Sequence, residues 1–558
     1  MGKYNSKKES VKPTEVNYMG EMSFKLADKE LLVSTVMTTF LQNSYYERED
    51  EIVKRITDLV DKVDPLFSAK LAIYARNEGN LRSVTHLVSA LLAKYVSGTD
   101  WGKRFYNRIV VRPDDMSEIV SAYAILNGMG LNDLKKIPNS IKKGFKEALE
   151  RLDAYQIDKY KMQNREVSLI DLVRLFHPKG NQKNAEAYKR LVNGESLADL
   201  YETKVLEKEM TKAGQTTKDA TQEEKDEAKR EAITAVLDNV KGMPVMNLLR
   251  NLRNILLYVP DKVNDACEQL TIEKKILNSR LLPFRFATAY AEIEKVMYAD
   301  TKTKPTSSIV FESEETKQQV NESSFNELKQ NLLDAIEGAI EISCQNIPEL
   351  EGNVALLIDD SGSMRCDYYG GHSRVSAFSK TNSSMIAHLF ASMMAWRQHD
   401  VYVGLFGNRL IQVPYKRDIK LLDFNKESYN IGARCGGATE NGIYTFLETV
   451  VKEKKKIDNI IVFSDCQIGR GGYFTEWYGT SSDKRSKHFH ELFKEFRKVN
   501  PNANFIVVNL RQSGGTSVFD KSQRILNIAG WSDKIFDTIK TQCRGWDSII
   551  SEIESIVI

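Results

Sequence analysis

The texture of the chain changes once, near residue 350, and this change constrains the fold more than any other feature. From about residue 20 to 300, apolar residues return at helical spacing in segments such as "KELLVSTVMTTFLQ", "DEIVKRITDLVDKV" and "VTHLVSALLAKYV". Short polar turns join them. Many such helices without strand punctuation predict stacked helical hairpins of the HEAT or armadillo kind, with repeats too degenerate for a strict period. After 350, short apolar runs ("NVALLID", "VYVGLFGN", "NIIVFSD", "NFIVVNL") alternate with helices such as "SSMIAHLFASMMAW". Runs of that kind suit a parallel sheet buried on both faces. A doubly wound, Rossmann-like α/β region is therefore expected, with its ligands beyond the carboxyl ends of the strands.

A chain of 558 residues exceeds what one core can organise, and roughly two to four domains are expected. The reading is multidomain: residues 1–19 disordered or extended, an all-α part over 20–345, and an α/β part over 350–558. Two segments depart from the helical pattern. One is a polar insertion near 205–232, where "KAGQTTKDATQEEKDEAKREA" has almost no large apolar residue. The other is a polar connection near 300–324 that contains Pro305.

Composition narrows the class. With a formal charge of +3 the chain is not basic throughout, so any polyanion partner must be found in local charge. Six scattered cysteines with no Cys-x-x-Cys pair predict a reduced, cytoplasmic protein without a disulfide framework or zinc knuckle. The lysine-rich N-terminus has no signal-peptide core. Nor is there any run of about eighteen apolar residues, so no membrane span is expected. "MGKYNS" fits the short, permissive myristoylation pattern at Gly2.

The strand "VALLID" runs straight into "DSGSM", placing Asp359, Ser361 and Ser363 in the loop that leaves it. "CGGATENG" places Thr439 before a later helix, and "VFSDCQIG" places Asp465 at the end of another strand. In a doubly wound sheet these loops meet at one edge. Two carboxylates, three hydroxyls and water form an all-oxygen octahedral set suited to a hard divalent cation, Mg²⁺ above others. The alternative is a loop that binds no metal. Asp360 falls outside the pattern and is expected to support the loop. The stretch "RCDYYGGHSR" (365–374) follows directly and is placed to cover or reshape the open position. The Asp-x-Ser-x-Ser spacing with its threonine and aspartate loops is the metal-ion-dependent adhesion site pattern, and residues 353–558 resemble a von Willebrand factor A domain. That resemblance implies a cation with one coordination position left for a partner's acidic group.

No enzymatic motif competes with this reading. "DDSGSM" is not Gly-x-Ser-x-Gly, no histidine is placed as its base, and no phosphate-binding Gly-x-x-x-x-Gly-Lys-Ser/Thr occurs.

Basic residues gather in the helical part. Between residues 70 and 112, eight (Arg76 and Arg82 among them) stand against Glu78 and Asp100, with His86, Tyr74, Trp101, Phe105 and Tyr106 interleaved. "KGMPVMNLLRNLRNILL" sets Lys241, Arg250 and Arg253 among apolar residues without an acid. Guanidinium and aromatic groups side by side suit phosphate and unpaired bases, although helix-surface arginines are more often simply solvated.

"LAIYARNEGNLRSVTHLVSALLAKY", "VSLIDLVRLFHPKG", "GMPVMNLLRNLRNIL" and "LLPFRFATAYAEIE" resemble the recurring segments of the TROVE module of the Ro autoantigen family. The order agrees too, helices first and the A-domain-like part after. The resemblance covers roughly residues 20–558, departing from the family at 205–232 and 365–374. It implies a HEAT-like toroid closed by the A domain, acting as a non-catalytic, monomeric RNA-binding protein. Single-stranded 3′ ends of misfolded or structured RNA would enter a basic central cavity. A small Y-like noncoding RNA would bind the rim, and an exoribonuclease or another protein could dock through the A domain. On this chain the resemblance makes Arg174, His177 and Lys179 candidates for the Y-like RNA, with Lys241, Arg250 and Arg253 along the RNA path. His177 also reads as a helix-end residue capping a carbonyl.

Overall fold

A computed structural model of the chain describes residues 12–17, 20–39, 41, 48–181, 184–201, 221, 224, 240–302, 322–365, 381–398, 400–437, 442–469, 487–511, 515–519, 524–530, 536, 539 and 546–558. Most of the insertion near 205–232, the middle of the connection near 300–324, residues 366–374 and Thr439 lie outside them.

The helices form where the local code asks for them. Asp64 accepts from Phe67 N at 2.8 Å and Pro65 takes the first position of the helix Pro65–Asn77. Ser168 and Asp171 form a reciprocal capping box at the start of Leu169–Phe176. Along Glu49–Lys62 the buried residues are Ile52, Ile56, Leu59 and Val60, one stripe at helical spacing. Helices Gly102–Arg108 and Asn139–Glu150 cross at Gly144, where a Cβ would lie 2.6 Å from Tyr106 Cβ and 2.7 Å from Lys103 O. Only glycine allows backbones that close.

The expected α/β sheet is present. Its strands are β3 (Val354–Asp359), β4 (Val401–Phe406), β5 (Leu410–Val413), β6 (Asn459–Ser464), β7 (Asn504–Asn509) and β9 (Ile525–Ala529), in the order β5-β4-β3-β6-β7-β9. All neighbours are parallel except β4 and β5. The chain leaves β3 toward β4 and later returns to its other side with β6, so the order reverses at β3. Along β3, Leu356 and Ile358 face one hydrophobic core while Ala355 and Leu357 face another.

Cores and architectures do not divide the chain at the same place. The helices over 245–343 share a continuous core with one face of the sheet, through residues such as Leu252, Phe286 and Ile336 with Leu356 and Phe390. The earlier helices, up to Leu197, have their own core, and Ile549 and Ile553 of the final helix Trp546–Glu554 enter it. Lys29 pairs with Glu554 at 2.6 Å and Lys70 donates to the Glu554 carbonyl at 2.6 Å. Part of the 1–19 segment is ordered as strand. β1 (Glu15–Val16) pairs with β2 (Met22–Lys25), and β2 pairs with β8 (Thr516–Ser517) of the α/β part. Beside them the buried Glu21 carboxylate accepts from the Tyr444 hydroxyl at 2.8 Å and meets His488 Nδ1 at 2.7 Å. Each end of the chain is therefore packed on the part it does not belong to by sequence. No described helix is long and apolar enough to cross a membrane.

Candidate functional site

The carboxyl ends of β3 and β6, on either side of the order reversal, bring Asp359, Ser361, Ser363 and Asp465 together. All four are almost wholly buried. Asp359 Oδ1 accepts from Ser361 N at 3.0 Å and its Oδ2 from Ser464 Oγ at 2.6 Å. Ser361 Oγ and Ser363 Oγ lie 3.1 Å apart, and Asp465 Oδ1 accepts from Gln467 N at 3.3 Å. Burial first, then the charge of Asp465, pushes the Asp359 carboxyl well above the usual carboxylate range. Burial raises Asp465 as well, with the guanidinium of buried Arg511 working against it. Two carboxylates forced together out of water, ringed by hydroxyls, form an oxygen-only donor set that a hard divalent cation fits. Thr439 lies outside the described residues, but Gly437, two positions before it, accepts from Gly362 N at 2.7 Å.

Asp360 turns into a different network. Its carboxylate accepts from Ser384 Oγ at 2.6 Å, meets His388 Nε2 at 2.9 Å and pairs with Arg365. Arg365 also donates to Tyr429 O at 2.8 Å and stacks over the Tyr429 ring. His388 Nδ1 reaches Ser428 Oγ at 2.9 Å. Burial alone would raise the Asp360 carboxyl; His388, Arg365 and Ser384 outweigh it and hold it below the ordinary value. The network fastens the Asp-x-Ser-x-Ser loop to the helix Leu421–Gly432, whose Gly432 is so close that a Cβ would sit 2.1 Å from Asp360 Oδ2.

The basic candidates separate into three groups. Arg76 and His86 are buried around Asp115: Arg76 Nη2 lies 3.0 Å from Asp115 Oδ2 and His86 Nε2 lies 2.9 Å from Oδ1. Both are thus inside the helical core, which corrects the expectation that they contact RNA; the Arg76 charge and the hydrogen bonds of both are used on Asp115. Arg82 is partly exposed but held by Asp114 at 2.6 Å, with Arg112 on the same oxygen at 2.9 Å. Arg174, His177 and Lys179 lie exposed at the end of Leu169–Phe176. His177 takes a left-handed conformation (φ 48°) and its own N–H donates to Val173 O, so it ends the helix through its backbone. Arg250 and Arg253 are exposed on the helix Val245–Tyr258 and make no salt bridge with any described residue. Lys241 is exposed yet paired with Asp265 at 3.3 Å and Glu268 at 3.4 Å. The Arg174 and Arg250 groups stand on different cores.

Comparison with known proteins decides the family. The TROVE domain model matches residues 27–241 and 233–352, more than half of the chain. The chain belongs to the TROVE family. TROVE and Ro-like proteins bind RNA. In fold the chain is similar to the crystal structure of Deinococcus radiodurans RO (RSR) protein, with a TM-score of 0.55 at 16% identity over 93% of this chain and 99% of that one. It is also similar to "Telomerase protein component 1" of Rattus norvegicus and of Mus musculus, 22% and 24% identical over 140 residues. Those matches cover 24% of this chain and only 5% of either relative's length.

Several residues of this TROVE protein's carboxylate edge carry no motif. Ser464, Arg511, His388 and Tyr429 reach it from separate elements. Of these only Ser464 had a sequence signal, a hydroxyl directly before Asp465 at a strand end. The reach of His388 from a helix 28 residues beyond Asp360 had none.

Proposed function

We propose that this TROVE protein is an RNA-binding scaffold without catalytic activity. Family membership carries the reading, and Arg250 and Arg253, exposed on one helix face and in no salt bridge with any described residue, support it. The helical part is taken as a HEAT-like ring closed by a von Willebrand factor A domain. Supporting this, the first helix, Asp28–Thr38, packs on β9, and the last before the sheet, Glu322–Ser343, packs on Leu421–Gly432. Lys241, Arg250 and Arg253 would line a basic cavity for single-stranded 3′ ends, which the scaffold presents to a nuclease. Arg174, His177 and Lys179 would meet a Y-like RNA on the rim. Arg250→Ala/Arg253→Ala should weaken binding of a single-stranded RNA about tenfold and flatten the log affinity against log salt by about 0.7 per arginine. Unchanged affinity and slope would remove the arginines from the RNA path.

The paired carboxylates favour a second role for the α/β part. Asp359, Ser361, Ser363, Asp465 and Thr439 would hold Mg²⁺, which when bound supplies positive charge against the two carboxylates and an open position for an acidic side chain. The chain's own part is to keep the donors dry and preset, through Ser464 on Asp359 and the Asp360 network behind the loop. A protein partner lost in Asp359→Ala but kept in Arg250→Ala/Arg253→Ala would assign adaptor function to this site.

A further inference from the structure

The edge of the sheet opposite the carboxylates carries six basic residues. Lys454, Lys455 and Lys456 lie just before β6, Lys498 lies shortly before β7 and Arg524 directly before β9, while Lys452 ends the helix Gly442–Glu453. All six are exposed, and none forms a salt bridge with any described residue. Their segments are hydrogen-bonded into one surface. Lys456 Nζ donates to Val499 O at 2.6 Å, Asn500 Nδ2 to Lys455 O at 3.0 Å and Arg524 Nη1 to Asn502 O at 3.1 Å. The acids on the same edge are Glu351, Asp400, Glu453 and Asp458, of which the Asp458 carboxylate already accepts from Asn353 N. Lysines in the last turn of a helix complement its dipole, which accounts for Lys452 and Lys498. Lys456 and Arg524 also donate to neighbouring carbonyls and Lys455 lies over the Tyr402 ring, but no described acid pairs with Lys454, Lys455, Lys456 or Arg524, all outside helices.

We propose that this amino-terminal edge of the sheet is a second RNA contact, one that holds the phosphates of a paired stem rather than reading bases. The inference rests on the RNA-binding reading above. Among the described residues the surface offers no exposed aromatic face: Tyr402 is half-buried beneath Lys455, and Phe505 beside Arg524 is buried. Unpaired bases need such a face, whereas A-form duplexes are met mainly through phosphate and 2′-hydroxyl groups. Large exposed apolar side chains are absent from the described residues of the edge, which disfavours a membrane. The strands separate the edge from the carboxylate site by about 20 Å, so each can be altered alone.

The test compares the full-length protein with Lys452→Gln/Lys454→Gln/Lys455→Gln/Lys498→Gln, which spares the structural bonds of Lys456 and Arg524. The probes are a single-stranded RNA, the same strand extending from a stem of about 16 base pairs, and phosphatidylserine vesicles. For the tailed stem, the variant should bind about tenfold more weakly, with a salt slope reduced by up to about 0.9 per lysine that meets a phosphate. Binding of the single strand should not change, and the matching four-lysine-to-arginine variant should retain the wild-type slope. Equal affinity and slope of the two proteins for the tailed stem would overturn the inference while leaving the single-strand reading intact. Loss of vesicle binding alone would also overturn it, in favour of a membrane surface. Wild-type protein that bound neither RNA would overturn the parent reading and this one together.

Discussion

Asp115 shows how neighbours decide what a charged residue does. Burial alone would raise its carboxyl, but the His86 hydrogen bond, the Arg76 charge and the Arg112 backbone N–H bring it down to about 2. With the folded value below the ordinary 3.8, the stabilisation is complete above about pH 4 and is lost as pH falls toward 2. It amounts to roughly 2 kcal/mol. Asp115→Asn should lose about 3–5 kcal/mol at neutral pH, because Arg76 keeps a buried, unpaired charge. The variant's melting temperature should also respond less to acid between pH 5 and 3 than the wild type's. Parallel acid responses in thermal melts would show that Asp115 is not the titrating group. From sequence, Arg76 and His86 looked like part of a basic surface, since nothing local places Asp115 between them. The carboxylate edge was easier to read. Asp359, Ser361 and Ser363 are bound to one loop by covalent spacing, and strand ends in a parallel sheet meet by construction.

At the scale of elements, helices announced themselves through caps and stripes, as at Asp64 and Ser168. The destination of an element was harder to read. The final helix Trp546–Glu554 follows the α/β part in sequence but buries Ile549 and Ile553 among the first helices. Its amphipathic pattern predicts that one face is covered and cannot say by what. Ile553→Ala should cost about 2–5 kcal/mol. Hydrogen exchange should then speed up in Pro65–Asn77, which packs against it, and leave β3 and β6 protected. Faster exchange centred on the sheet strands would place the helix in the wrong core.

For the whole molecule, the α/β part receives Asn17 and Glu21 from the N-terminus and shares a core with the later helices. A change at the carboxylate edge should therefore register in the melting of the entire chain. Saturating Mg²⁺, at about 100 times its dissociation constant, should stabilise the wild type by about 2.7 kcal/mol and leave Asp359→Ala unmoved. Thermal melts with and without chelator check this. A shift equal in both proteins would mean the cation acts elsewhere. Local sequence was enough for the two textures, the helix starts, the strand alternation and the Asp-x-Ser-x-Ser loop, because each depends on residues within a turn or strand of one another. Tertiary packing settled which charges are used internally, where each end of the chain docks, and which cations have no acidic partner among the described residues. Those outcomes join residues hundreds of positions apart, as with Glu21 and His488. They follow from the burial of whole faces, which no local pattern encodes.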